Sequence, residues 1–148
     1  MQIKDIMSRY LVTAETDDNV LYVSNLMKEY DVGFILIMDG QKLYGVVTDR
    51  DLVCDLANST HKIKRYTTTK VITIDEDKSL LEALDMMKAH RIKRLVVTNQ
   101  NKISGVISLA DIYSTDVDSK QLKEALQTIY AINRNNGYYD TDVHDFIL

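Results

Sequence analysis

The chain of 148 residues has no proline, no tryptophan, one cysteine, five glycines and two phenylalanines. A single thiol, Cys54, excludes an internal disulfide and fits a reducing compartment, so a cytoplasmic location is expected. No run of about 18 apolar residues is present, so no membrane-spanning helix is expected. The start, Met1-Gln2-Ile3-Lys4-Asp5, lacks a basic region followed by an apolar stretch, so no secretory signal is expected. The net charge of −4 argues against general electrostatic binding to nucleic acid or anionic membranes. A local basic cluster can still oppose that global sign and receive a small anion.

Catalytic patterns are missing too. There is no glycine-rich phosphate loop ending in Lys-Ser/Thr, no Cys-x-x-Cys and no plausible nucleophile–base pair, so an enzyme is not expected. His61, His90 and His144 lie far apart in sequence and show no metal-ligand spacing. Cys54 reads as a structural thiol, since no histidine lies beside it in sequence to activate it. Met27, Met86 and Met87 sit at helical spacing and read as core packing. The nine tyrosines include Tyr138-Tyr139, but no interleaved basic residues support stacking on RNA.

What the chain does have is the same unit twice. Shifting the sequence by 60 residues lays 3–52 on 63–112 without a gap. Identical pairs include Ile3/Ile63, Thr13/Thr73, Asp17/Asp77, Met27/Met87, Gly45/Gly105, Val46/Val106 and Asp51/Asp111. About three identities are expected between unrelated segments of this length. Each unit is close to the size at which a single core becomes marginal, so two copies packed with pseudo-twofold symmetry are expected. A cleft between such copies is a natural ligand site.

Each repeat reads β-α-β-β-α, an α/β fold of α+β type. In the first, strands are predicted at 11–14, 33–38 and 43–47, with helices at 19–30 and 49–57. The helix 19–30 carries Val20, Val23, Leu26, Met27 and Tyr30 on one face. Asp39-Gly40 is a hairpin turn signal. In the second, strands are predicted at 71–74, 95–98 and 103–107, with helices at 80–90 and 109–114. Ser79 and Glu82 fit a capping box. The expected organisation is repeat 1 over 1–58, a polar linker over 59–66, repeat 2 over 67–116, and a C-terminal helix and tail over 117–148. The helix is predicted at 120–133, with Leu122, Ala125, Leu126, Ile129 and Tyr130 as its apolar stripe, ended by Asn135-Asn136-Gly137. The tail over 138–148 is either a disordered end or an apolar segment that docks on the body or on a partner subunit.

The informative motif runs from a strand into a helix. Gly45-Val46-Val47-Thr48-Asp49-Arg50-Asp51 returns as Gly105-Val106-Ile107-Ser108-Leu109-Ala110-Asp111. A hydroxyl stands at the strand end and an aspartate follows three residues later, so Thr48 and Asp51, and Ser108 and Asp111, project into one space at a helix start. Free backbone N–H groups favour an anion there. A carboxylate accepts hydrogen bonds from two vicinal hydroxyls, which is what a ribose presents. The same spacing also makes a helix cap, and either copy alone reads better as a cap. Duplication in one register moves the reading toward a site. Gly45 and Gly105 are explained as strand positions that need a close approach or unusual backbone geometry.

On these residues the chain resembles the cystathionine-β-synthase (CBS) domain family, two copies of which pair into a Bateman module. The resemblance covers residues 1–115. The stretch Arg91-Ile92-Lys93-Arg94-Leu95-Val96-Val97 with the motif from Gly105 to Ile112 is similar to adenylate-sensing regulatory subunits of energy-sensing kinases. The motif from Gly45 to Leu52 is similar to stand-alone bacterial modules. The resemblance implies two clefts between the repeats that take AMP, ADP, ATP or S-adenosylmethionine, with no required cofactor. It implies that Asp51 and Asp111 hold ribose hydroxyls and that Thr48 and Ser108 lie near ribose or phosphate. Backbone groups around Val12 and Ile72, and around Val32-Gly33 and Ile92-Lys93, would meet the base. Arg94 matches a position that reaches phosphates, with Lys93 and Arg50 as neighbours. The family often carries proline in its central strand and before its first helix, and this chain has none.

The copies are not equivalent. Lys93 and Arg94 stand opposite Gly33 and Phe34, and Arg50 stands opposite Ala110, so unequal affinities or a single occupied site are expected. The resemblance further implies a homodimer and an unknown regulated protein. The competing expectation is a structural or dimerisation module with empty clefts.

Overall fold

The computed structural model describes residues 1–53, 56–115 and 120–135. Cys54, Gly137, the tail and His144 lie outside them. The described residues divide into two compact units, Tyr10–Val71 and a second built from Met1–Arg9 together with those from Ile72 onward.

The unit Tyr10–Val71 contains strand β1 (Thr13–Glu15), helix α1 (Val20–Tyr30), strands β2 (Phe34–Asp39) and β3 (Lys42–Thr48), and helix α2 (Asp49–Val53). The sheet order is β1-β2-β3, with β1 parallel and β3 antiparallel to β2. Strand β2 is covered on both faces, so Ile35, Leu36 and Ile37 are all buried, as a central strand requires. Gly40 at φ 62° supplies the left-handed turn residue of the β2–β3 hairpin. Asn19 caps α1, its side chain accepting from the Tyr22 N–H at 2.8 Å. Two further N–H groups at this helix start donate to backbone carbonyls of the segment predicted as a linker, Val20 to His61 and Leu21 to Ser59. Ile63 of the same segment is wholly buried in the core with Val20, Val23, Met27, Ile35, Val47 and Leu52. Tyr30 departs from the predicted apolar face: it is exposed, its ring 6.2 Å from that of Tyr10. Of the predicted helix over 49–57, Asp49–Val53 are α-helical, and Leu56–Asn58 form a 3-10 turn.

The second unit repeats this plan with β4 (Thr73–Asp75), α3 (Leu80–His90), β5 (Arg94–Asn99), β6 (Lys102–Ser108) and α4 (Leu109–Tyr113), then adds α5 (Lys120–Asn135). Its edge is completed by the start of the chain. Ser8 bridges Val106, Ile3 N–H donates to the Lys78 carbonyl, and Arg9 approaches the buried Glu76 carboxylate at 3.7 Å. Residues 62–69 make the equivalent bridges in the first unit, Lys62 to Asn19 and Thr68 to Val46. Gly45 and Gly105 sit beneath these crossing segments. A Cβ on Gly105 would lie 2.6 Å from the Ser8 carbonyl oxygen, and one on Gly45 would collide with the Thr68 carbonyl. Neither has a positive φ, so close approach is what demands glycine.

Helix α5 packs on α3. Leu122 and Ile129 join a core containing Leu80, Ala83, Leu84 and Met87, with Ala125 and Leu126 half-buried beside it. The side chain of Tyr130 lies outside the described residues. Helix α3 begins with the predicted capping box: Ser79 Oγ accepts from the Glu82 N–H, and Glu82 Oε2 accepts from the Ser79 N–H at 2.9 Å. The Ser79 backbone N–H, then the Lys78 ammonium and the Ser79 hydroxyl, pull the Glu82 carboxyl down from 4.5 to about 2. A depressed carboxyl contributes stability above its unfolded pKa and loses it as pH falls through the folded one. Stability should therefore decline between pH about 4.5 and about 2, and Glu82→Gln should flatten that part of a urea-midpoint profile.

Candidate functional site

In each unit, topology gathers the sequence-predicted residues at one end of the sheet. In the first, β1 and β2 begin where β3 ends, so Val12, Gly33 and Thr48 are neighbours there. In the second, Ile72, Lys93 and Ser108 take the same places. Phe34 pairs with Thr48, and Arg94 with Ser108. The following helix is tied back to the incoming strand: Asp49 N–H donates to the Gly33 carbonyl at 3.0 Å, and Leu109 N–H to the Lys93 carbonyl at 2.8 Å.

The hydroxyl and the aspartate meet in both copies. Asp51 Oδ2 accepts from the Thr48 N–H at 2.9 Å and from Thr48 Oγ1 at 3.0 Å. Asp111 Oδ2 accepts from the Ser108 N–H and from Ser108 Oγ, each at 2.7 Å. Asp111 N–H donates back to Ser108 Oγ at 3.1 Å, completing a capping box. One oxygen of each carboxylate does all of this. Oδ1 of Asp51 and of Asp111 takes no hydrogen bond among the described residues. Capping therefore uses one oxygen of each carboxylate and leaves Oδ1 able to accept from a further hydroxyl with the cap intact.

The backbone groups are similarly divided. The Val12 carbonyl accepts from Leu36 N–H and the Ile72 carbonyl from Val96 N–H. The Val32 and Ile92 N–H groups donate to Met27 and Met87 at the ends of α1 and α3. The Val12 and Ile72 N–H groups and the Val32 and Ile92 carbonyls make no backbone hydrogen bond among the described residues. These donors and acceptors suit the polar edge of a base.

Charge differs between the two ends. Arg50 is exposed, while Lys93 and Arg94 are half-buried. Helix α4 has five residues, so few peptide dipoles are aligned there and the neighbouring side chains dominate the local potential. Asp49, which sequence reasoning passed over, stands out here. Its Oδ1 accepts from the Arg50 N–H at 2.8 Å, and its Oδ2 lies 2.9 Å from where a Cβ on Gly33 would be. The signal was present in the repeat alignment, where the exposed Asp49 faces the buried Leu109. His61 is locally bonded, its Nδ1 3.0 Å from the Tyr66 hydroxyl. No helix among the described residues is long and apolar enough to cross a membrane.

The CBS domain family model matches residues 3–58 and 63–118. YlbB of Bacillus subtilis is 33% identical over 145 residues, covering 93% of this chain and 98% of that protein. Two solved structures share the fold. The CBS domain pair of protein MJ0100 in complex with 5′-methylthioadenosine and S-adenosyl-L-methionine superposes with TM-score 0.69 at 24% identity, covering 76% of this chain and 93% of that one. The CBS domain protein PAE2072 from Pyrobaculum aerophilum, complexed with AMP, superposes with TM-score 0.71 at 19% identity over 86% of this chain and 99% of that one. The two matched segments, the repeated β-α-β-β-α units and the relative matched along nearly its whole length make this chain a member of the CBS-domain family, carrying two CBS domains in tandem.

Proposed function

We propose that this protein is a cytoplasmic regulatory module that binds adenosyl ligands such as AMP, ADP, ATP or S-adenosylmethionine. The observation that carries the reading is the duplicated hydroxyl–aspartate pair, in which one carboxylate oxygen serves the cap and the other is open to a ribose. The AMP, 5′-methylthioadenosine and S-adenosylmethionine in the complexes of the two solved CBS structures support the choice of ligand class. The protein acts as a homodimer on a regulated partner. Ligand that prefers one arrangement of the assembly shifts its population and so changes what the partner meets.

A second reading has its own observation. The box between Ser108 and Asp111 is complete without any ligand, so these residues suffice as a cap and the module works through protein contacts alone. Calorimetric titration with AMP, ADP, ATP and S-adenosylmethionine separates the two, run beside Asp51→Ala and Asp111→Ala. The binding reading expects saturable heat, weakened about tenfold in one variant or both, and about 1 kcal/mol of stability lost with the cap. No heat from any ligand with a folded protein would establish the second reading.

A further inference from the structure

The two sheet ends carry different charged residues at equivalent positions. In the first unit the glycine at position 33 leaves room for the Asp49 carboxylate, whose Oδ2 lies 2.9 Å from where a Cβ would be. A Cβ at 33 would push this exposed carboxylate aside. In the second unit the equivalent of Gly33 is Lys93, and the equivalent of Asp49 is Leu109, which turns into the core at 1% exposure. Asp49 and Arg50 of the first motif stand where the second has Leu109 and Ala110, and Lys93 and Arg94 stand where the first has Gly33 and Phe34.

We propose that Asp49, laid against Gly33, makes the first repeat reject phosphate and select adenosyl ligands that lack one, while the second repeat takes the phosphorylated nucleotide. The inference rests on the adenosyl reading above and assigns a charge class to each copy. The Asp49 side chain is exposed at the end where Thr48 and Asp51 meet, so a phosphate entering there faces a second carboxylate beyond the one that holds ribose. An uncharged 5′-thioether meets no such repulsion. At the other end Arg94 pairs with Ser108 along the strands and Lys93 precedes it, so the residues there that could meet a phosphate are cationic, not acidic.

The test is calorimetry on the full chain with AMP and with 5′-methylthioadenosine as probes. In the native protein AMP should fill one site per chain, lost in Asp111→Ala and kept in Asp51→Ala. The thioether should bind in a manner sensitive to Asp51→Ala. Asp49→Asn, at an exposed position that tolerates the amide, should add AMP binding at the first repeat or tighten it at least about tenfold, the scale of one charge a few ångströms away. Changing both Lys93→Gln and Arg94→Gln should weaken AMP by a similar factor and leave the thioether unaffected. AMP binding lost in Asp51→Ala, or an Asp49→Asn protein with native AMP stoichiometry and affinity, would overturn the assignment while leaving the adenosyl reading intact. Absence of binding by either probe would overturn both.

Discussion

Gly105→Ala should lower the unfolding free energy by about 3 kcal/mol, read as a fall in urea midpoint at unchanged slope. The added methyl would stand 2.6 Å from the Ser8 carbonyl oxygen and 2.9 Å from Met7 Sδ. A flexible thioether can move aside. The carbonyl cannot, because Ser8 and Val106 exchange two backbone hydrogen bonds of 2.9 Å across that contact. Relief would require the first residues to lift off β6 and to give up the wholly buried Ile3. Gly45→Ala should behave alike, since Thr68 and Val46 form the matching pair of bonds. Alanine at Gly40, where a Cβ meets nothing, provides the comparison, with only the smaller cost of a positive φ. Equal stability of the Gly40 and Gly105 variants would refute the close-approach account.

Leu84→Ser should cost more, about 4 kcal/mol, and should detach α5. Leu84 is 1% exposed in the core shared with Leu122 and Ile129. The substitution copies the first repeat, where the same position is Ser24 and its hydroxyl donates to the Val20 carbonyl at 2.7 Å. A serine at 84 can bond the Leu80 carbonyl in the same way, which moderates the desolvation of its hydroxyl. The cavity remains. Loss of helical signal from α5 should accompany the lower stability in circular dichroism. A variant as stable as the native protein would show that α5 contributes little to the second unit.

The elements that the sequence announced are those fixed locally. Helix α3 runs over the predicted 80–90 because Ser79 and Glu82 define its start. The first hairpin lies where Asp39-Gly40 foretold it, and Gly40, like Gln100 and Asn101 in the second, adopts a positive φ. Strands β1 and β4 begin two residues later than expected. Val12 and Ile72 are apolar, but pairing along the ladder starts only at Thr13 with Leu36 and at Thr73 with Val96. The stripe on α5 was visible, while its target, α3, was not, since an amphipathic helix does not name what it covers. Among candidate site residues, Thr48 with Asp51 and Ser108 with Asp111 follow from spacing alone. Asp49 escaped because its meaning lies in the empty place left by a glycine 16 positions earlier.

The segment Met1–Arg9 gives the two units different histories during synthesis. Everything that Tyr10–Val71 needs for its sheet, its helix caps and its core has been made once Val71 is added. The second unit cannot close until its own strands exist and the earlier segment returns to them, with Lys4 reaching Asp77 across 73 residues. Those nine residues are translated before the first unit and are used after it. Until then Ile3 and Met7 are unprotected and β6 lacks its bridge to Ser8. A loop of that length slows closure, so the first unit can be completed on the nascent chain while the second still waits for a segment that was made earliest.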